Sequence, residues 1–283
     1  MNRFEVFKNN KKPKSKTKLH FETFLGIPYY IILSTLIVLP VLILLIYSFQ
    51  DSTNSTLEFT ITFKHYISFF KEVGFLINVA KSLGYAAFAT VITLLIGYPL
   101  AYLIATSKPR TGAMLITLVN APMWINMLLR IRALKQVFNM VDPLFFAQDS
   151  AMIIGMIYIY LPFMVIPIYT VLAKMDRSLF ESSADLGATR WQTIRKVVIP
   201  LSLSGVLSGI IMVFLPMATT LVIPNELGSS GLISKIIEES IGQKIHGGYG
   251  FGAAIAMVLA LIILGLVQLM KKANKYQGGH ADE

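Results

Sequence analysis

MIIGMIYIYLPFMVIPIYTVL (152–172), then ESSADLGATRWQ (181–192), then VVIPLSLSGVLSGIIMVFL (197–215): this alternation of apolar, polar and apolar segments decides the fold. Neither apolar run contains a charged residue, and each is close to the ~20 residues that cross a hydrocarbon core as a helix. The segment between them carries two acids, Glu181 and Asp185, and the punctuation of short helices. It reads as a small folded knob held at the membrane surface by two spans.

The rest of the chain extends that reading. Of 283 residues, 55% are hydrophobic and 14% charged, where a soluble domain carries roughly a quarter charged. Six runs are long enough to span: 25–49, 79–106, 113–129, 151–173, 199–224 and 251–270. The third contains NAPMWIN (120–126) and ends in LLRIRALK (128–135). The expectation is an all-α, polytopic membrane protein with six transmembrane helices. A basic tail covers 1–24, a six-span domain 25–270, with the polar knob at 176–200, and a second tail 271–283. The stretch after the basic tail is too long for a signal-peptide core and has no clear cleavage site, so it reads as a retained first span.

Lys and Arg set the orientation. With the N-terminus in the cytoplasm, 17 of the 25 fall inside and eight outside. Both termini and the knob are therefore expected on the cytoplasmic side, with the lipid bilayer, and no nucleic acid, as the partner of the basic tail. Arg130 and Arg132 read as snorkelling anchors at the outer edge. Gly205 and Gly209, beside Ser204 and Ser208, mark close helix packing. Pro122, Pro162, Pro167 and Pro216 interrupt the helical ladder within spans.

Within the knob, Ser178-Leu-Phe-Glu181 fits a capping box and starts a helix over 179–186. Gly187 stands where that helix would end in a left-handed residue, and Thr189-Arg-Trp-Gln192 fits a second box. A helix this short is marginal alone. Leu179, Phe180, Ala184, Leu186 and Ala188 offer it a contact surface, so the knob reads as a docking element rather than a solvated loop. Glu181 and Asp185 share a face, but a metal would need further oxygen ligands and none is evident.

Glu181-Ser182-Ser183-Ala184-Asp185-Leu186-Gly187-Ala188, with Pro200 thirteen residues after the glycine, resembles the "EAA" loop of ABC-importer permease subunits. Ser182 and Ser183 replace the two alanines. PMWINMLLRIRALK (122–135), YIYLPFMVIPIY (158–169), ADLGATRWQTIRKVVIPLSLSG (184–205) and FGAAIAMVL (251–259) are similar to the polyamine branch of that family, the spermidine/putrescine permeases of the B type. In two places the chain departs from those relatives: Arg132 stands where they have tyrosine, and Glu226 lies one place after their usual acid. The resemblance implies a type I importer fold whose coupling helix, between spans 4 and 5, is the Glu181–Ala188 segment with Pro200. It also implies a second, non-identical permease subunit, two copies of a cytoplasmic ATP-binding subunit, and an extracytoplasmic polyamine-binding protein. ATP and Mg would be bound by the ATPase, with no cofactor in this chain.

The chain carries no G-x-x-x-x-G-K-[ST], so it cannot cradle nucleotide phosphates by that route. Its histidines (20, 65, 246, 280) are not at metal spacing, and it has no cysteine. No catalytic or metal residues are expected. No span centre holds an acid, which speaks against a tight charged midplane site formed by this chain alone. A low-affinity passage lined by Asn120, Trp124, Asn126, Tyr158, Tyr160 and Thr219, with Glu226 near its outer end, suits a cation through aromatic faces and a terminal carboxylate. Two alternatives stay open: an importer permease for iron(III), a phosphonate or another organic amine, and a channel or scaffold whose loop binds a cytoplasmic partner.

Overall fold

The computed structural model describes residues 16–50, 61–142, 149–176, 178–228, 232–243 and 248–278. Of the expected tails, residues 1–15 and 279–283 lie outside this set. Apart from one antiparallel bridge between Gln50 and Ile61, the regular structure among the described residues is helical. Residues Met1–Tyr47 and Ser48–Glu283 form separate units.

The first unit is built on α1 (Lys16–Ser48). The helix starts within the basic tail, and its apolar part, Pro28–Ser48, has a mean hydropathy of 2.7 over 21 residues. In the second unit a short amphipathic helix, α2 (Lys64–Lys71), precedes α3 (Val73–Thr106). At 34 residues α3 is about 51 Å long. It begins six residues before the expected span.

The expected third span, 113–129, is not one unbroken helix. Helix α4 (Pro109–Asn120) passes into a 3₁₀ turn, Ala121–Trp124, and the chain then bends by 96° into α5 (Met127–Val141). Pro122 brings no N–H to the ladder, and Ile125 is extended at φ −89°, ψ 139°. The Asn126 side chain then caps the new helix by accepting from Leu128 N–H at 2.8 Å.

Helix α6 (Asp149–Leu172) retains Pro162 and Pro167 within an unbroken span. After α7 (Ser178–Asp185), α8 (Arg190–Thr193) runs through a π-helical turn, Ile194–Val198, into α9 (Ile199–Thr219). Pro200 therefore sits inside a continuous 30-residue helical run, not at a span's start. Its missing N–H leaves the Lys196 carbonyl without its usual partner, and its ring crowds that carbonyl; widening to i→i+5 bonding relieves both. The fifth span ends at Thr219 rather than 224, because Thr220 is extended (ψ 135°). A separate short helix, α10 (Val222–Leu227), follows and stops at Gly228, φ +93°. Helices α11 (Ile233–Gln243) and α12 (Gly248–Gly278) complete the unit, α12 running eight residues past the expected end of the last span. Among the described residues, five helices are long and apolar enough to cross a membrane, six if the bent α4–α5 pair counts as one.

The core is the three-way packing of α3, α6 and α9. Met164 of α6 sits between two glycines: a Cβ at Gly97 of α3 would lie 3.0 Å from its Cγ, and one at Gly209 of α9 would lie 2.9 Å from its Sδ. A Cβ at Gly205 would meet backbone, the Pro167 carbonyl oxygen at 2.9 Å. The Gly205/Gly209 pair is thus the contact face of α9 on α6, as small-residue motifs in membranes require. Polar groups in this core are satisfied within it. Thr90 and Thr93 donate to the carbonyls four residues back, and Tyr98 and Ser202 join hydroxyls at 2.9 Å across α3 and α9.

Candidate functional site

Helix α6 links the two regions where sequence reading places function. Near its start, a Cβ built at Gly155 would meet Leu227 and Ile223 of α10 and Leu134 of α5. Its other end leads into the knob. The knob and the packing of α5 and α10 therefore lie at opposite ends of a helix about 36 Å long.

The knob is a helix, a left-handed turn and a second helix. At its entrance the structure departs from expectation: Ser178 is already helical, and the Asp176 carboxylate accepts from Ser178 N–H at 3.0 Å. That hydrogen bond holds the Asp176 carboxyl below the usual carboxylate range. The exit matches expectation. Gly187 has φ +76°, its N–H reaches the Ala184 carbonyl at 2.9 Å, and Ala188 N–H reaches that of Ser183 at 3.0 Å. Together these bonds form a Schellman motif. The second capping box is complete: Thr189 N–H donates to Gln192 Oε1 at 2.8 Å, and Gln192 N–H donates to Thr189 Oγ1 at 3.3 Å.

Sequence reading missed what ties the two helices together. Ser183, standing where the resembling family has alanine, is the buried residue of α7, and its hydroxyl meets that of buried Thr193 at 2.9 Å. The expected apolar surface divides accordingly. Phe180 and Ala188 are half-buried, while Leu179, Ala184 and Leu186 are exposed, Leu186 at 87%. Glu181, Ser182 and Asp185 are exposed beside them. The knob is thus stapled by two hydroxyls and presents a free face carrying both acids and two leucines.

At the bent end the expected passage residues fall into separate environments. Trp124 is 84% exposed in the 3₁₀ turn. Asn126 is used as the α5 cap, and the Asn120 Oδ1 is buried without a partner. Tyr158 and Tyr160, two apart on α6, point to different faces: Tyr158 is exposed, and Tyr160 is buried with its hydroxyl bonded to Thr220. Thr219 itself bonds back to the Leu215 carbonyl at 3.1 Å, so the threonine facing Tyr160 is the next one along.

Glu226 is not free. Arg132 Nη2 and Nε lie 3.0 and 3.2 Å from its Oε1. The Arg132 hydrogen bond is the main reason the Glu226 carboxyl sits below its ordinary value, with the Arg132 and Lys135 charges adding to it. The two departures from the resembling family, 94 residues apart, meet in one ion pair. It joins α5, which follows the bend, to α10, which follows the break after α9. Next to Glu226, Asn225 Nδ2 donates to Glu238 of α11 at 2.8 Å. Arg130 is no snorkelling anchor either: it is 8% exposed, and its Nε and Nη1 have no hydrogen-bond partner.

Among the described residues no three His, Cys, Asp or Glu side chains could hold a metal ion. The described residues thus form a bundle of long apolar helices, with a polar helix–turn–helix knob beyond one end of α6 and an α5–α10 ion pair near the other. Residues 94–272 match the family described as "Binding-protein-dependent transport system inner membrane component"; the chain belongs to this family of ABC-importer permeases. It is thereby a multi-pass inner-membrane component and a non-catalytic one. The chain is 31% identical over 257 residues to the spermidine/putrescine transport system permease protein PotB of Haemophilus influenzae, covering 84% of this chain and 89% of that one. It is 34% identical over 206 residues to the PotB protein of Escherichia coli, covering 67% and 74%. Among solved structures, a bacterial alginate ABC transporter in complex with an alginate-bound periplasmic protein shares the fold, with a TM-score of 0.70 at 18% identity over 89% of this chain and 93% of that one. The MetNI methionine ABC transporter, in inward-facing conformations, does so with a TM-score of 0.54 at 19% identity over 72% and 94%.

Proposed function

We propose that this chain is one of two non-identical permease subunits of an ATP-driven polyamine importer. The bent α4–α5 pair counts as the third of six spans, and both termini lie in the cytoplasm. Helix α7, with Gly187 and Ala188, docks on a separate ATPase. A similar but distinct permease completes the passage, and an extracytoplasmic receptor delivers cargo to the end where α5 and α10 meet. ATPase closure moves α7, and the stapled Ser183–Thr193 pair passes that movement through the π-helical turn before Pro200 into α9. The spans then exchange inward-open for outward-open states, with the energy supplied from outside the chain.

The observation that carries the coupling reading is the knob: a stapled pair of short helices with an exposed face has no reason to hold its shape except to be pushed. Resemblance to the PotB proteins supports spermidine or putrescine as cargo. Neutralisation of Glu226 by Arg132 favours a second reading, an organic amine of lower charge. Both are tested by uptake of labelled spermidine and putrescine in a strain whose only polyamine importer contains this chain, with and without ATP depletion. ATP-dependent uptake of both is expected. Uptake of putrescine alone selects the lower-charge reading, and uptake of neither, with the complex assembled, refutes the polyamine assignment.

A further inference from the structure

Helix α2 carries two apolar stripes, and the fold buries one of them. His65 packs against Phe251 of α12 and Phe69 stacks on Phe75 of α3, both side chains buried. The second stripe, Phe63, Ile67 and Phe70, follows at i, i+4 and i+7 and is 63%, 50% and 60% exposed. Lys64 and Lys71, at the two ends of the helix, are exposed, and among the described residues neither forms an ion pair. A short helix with an open apolar stripe between two lysines, leading into a long span, is built to lie in the plane of a membrane interface.

Beside Phe70 a groove of about 380 Å³ opens between α2, α3 and α12. Phe69 and Phe70, Leu76 and Val79, and Leu261 and Ile262 line it, and its open surface is wholly apolar. Water finds no partner in such a space. The Phe251 contact sets the level of α2 on α12. Ile262 lies three turns further along that helix, about 16 Å, or half of the ~30 Å hydrocarbon core. The groove therefore runs the depth of one leaflet.

We propose that this groove binds one anionic phospholipid, with an acyl chain along Leu261 and Ile262 and its phosphate at Lys64 and Lys71. A hydrocarbon chain enters a space of this volume; a helix about 10 Å across does not. The lysines select the headgroup. Lys71 directly follows the lining residue Phe70, and against the two lysines stands one exposed acid, Glu72. Two cations beside an apolar slot fit a ligand that brings acceptor oxygens and a hydrocarbon tail in one molecule.

The test counts the lipids carried by the full chain in native mass spectrometry, after release from nanodiscs of equal phosphatidylglycerol and phosphatidylcholine. One tightly held phosphatidylglycerol is expected. Lys64→Gln with Lys71→Gln should lower its retention relative to phosphatidylcholine roughly 25-fold, about five-fold for each lysine. Lys64→Arg with Lys71→Arg should keep the preference. Leu261→Trp, at a position 63% exposed, fills the groove and should expel the lipid with both lysines intact. Equal retention of the two lipids by the wild type overturns the proposal, as does a phosphatidylglycerol preference that survives the double Gln change. Retention in Leu261→Trp overturns it in favour of simple attraction to the helix face. A preference lost instead when Lys11, Lys12 and Lys14 are changed to Gln overturns it in favour of the basic tail. Displacement of the lipid when the chain is reconstituted with the rest of its transporter overturns it in favour of a face covered by protein.

Discussion

Replacing Gly187 separates two ways in which the knob could work. Its φ is +76°, and a Cβ built there meets nothing within 4 Å. A side chain at 187 therefore costs backbone strain and no collision. For an L-residue in this region the cost is about 1–2 kcal/mol, smaller for asparagine and larger for a β-branched residue. That converts to roughly a 5- to 30-fold loss in the population of the closed turn, with the bonds from Gly187 and Ala188 N–H to Ala184 and Ser183 lost together. In a lever the damage follows left-handed tolerance: Gly187→Asn mild, Gly187→Ala intermediate, Gly187→Val severe. In a mere contact surface it follows side-chain volume, so Asn and Val, close in size, behave alike. The assay is cargo-stimulated ATP hydrolysis and uptake by the reconstituted transporter, with hydrogen exchange at Ala188 reporting the turn. Equal effects of Asn and Val, or normal coupling in Gly187→Val with an opened turn, would refute the lever.

Other outcomes follow from the packing and the charges. Ser183→Ala removes the buried bond to Thr193 at a cost of about 1 kcal/mol, seen as faster exchange across 183–193 with little change in global melting. Gly205→Ala forces α9 from the α6 backbone and costs about 1–3 kcal/mol, whereas Gly155→Ala meets mainly the movable end of Leu227 and costs less; melting of the purified chain ranks them. The Glu226 carboxyl is held low by Arg132, so the α5–α10 clasp is fully present above the ordinary glutamate range and is lost only as pH falls through the depressed value. Arg132→Gln should move Glu226 up toward its ordinary range, with Lys135 still holding it somewhat low, read by carbon NMR of the labelled carboxyl, and should increase uptake of spermidine relative to putrescine. Equal effects on the two cargoes would take Glu226 off the route.

Much of this was legible in the sequence because membranes leave few options. A charge-free run of twenty residues must satisfy its own backbone, and only a helix does so in one segment. The knob was legible for a different reason. Its turn depends on local chemistry, a glycine able to adopt positive φ and a Thr-x-x-Gln box, and local chemistry is written in adjacent letters. The same locality explains the small errors. Asp176 outcompetes Ser178 for the cap because a carboxylate accepts more strongly than a hydroxyl. Pro200 is absorbed into a helix because a π turn relieves it, an outcome set by the continuity of α8 and α9 rather than by the proline.

What could not be read was whatever depends on residues distant in the chain. The span over 113–129 was apolar enough to be straight, and its bend is fixed by Pro122, by the Asn126 cap and by where α5 finds α6 and α10 to pack against. Ser183 looked like a small substitute for alanine until Thr193, ten residues on, turned toward it. Arg132 and Glu226 each looked anomalous for a cation route: one an extra positive charge, the other an acid out of step. Each is the other's compensation. They close one ion pair across 94 residues of sequence, and the breaks after Trp124 and Thr219 turn α5 and α10 so that the two can meet. On the amine route proposed above, Glu226 would reach cargo only with that pair open.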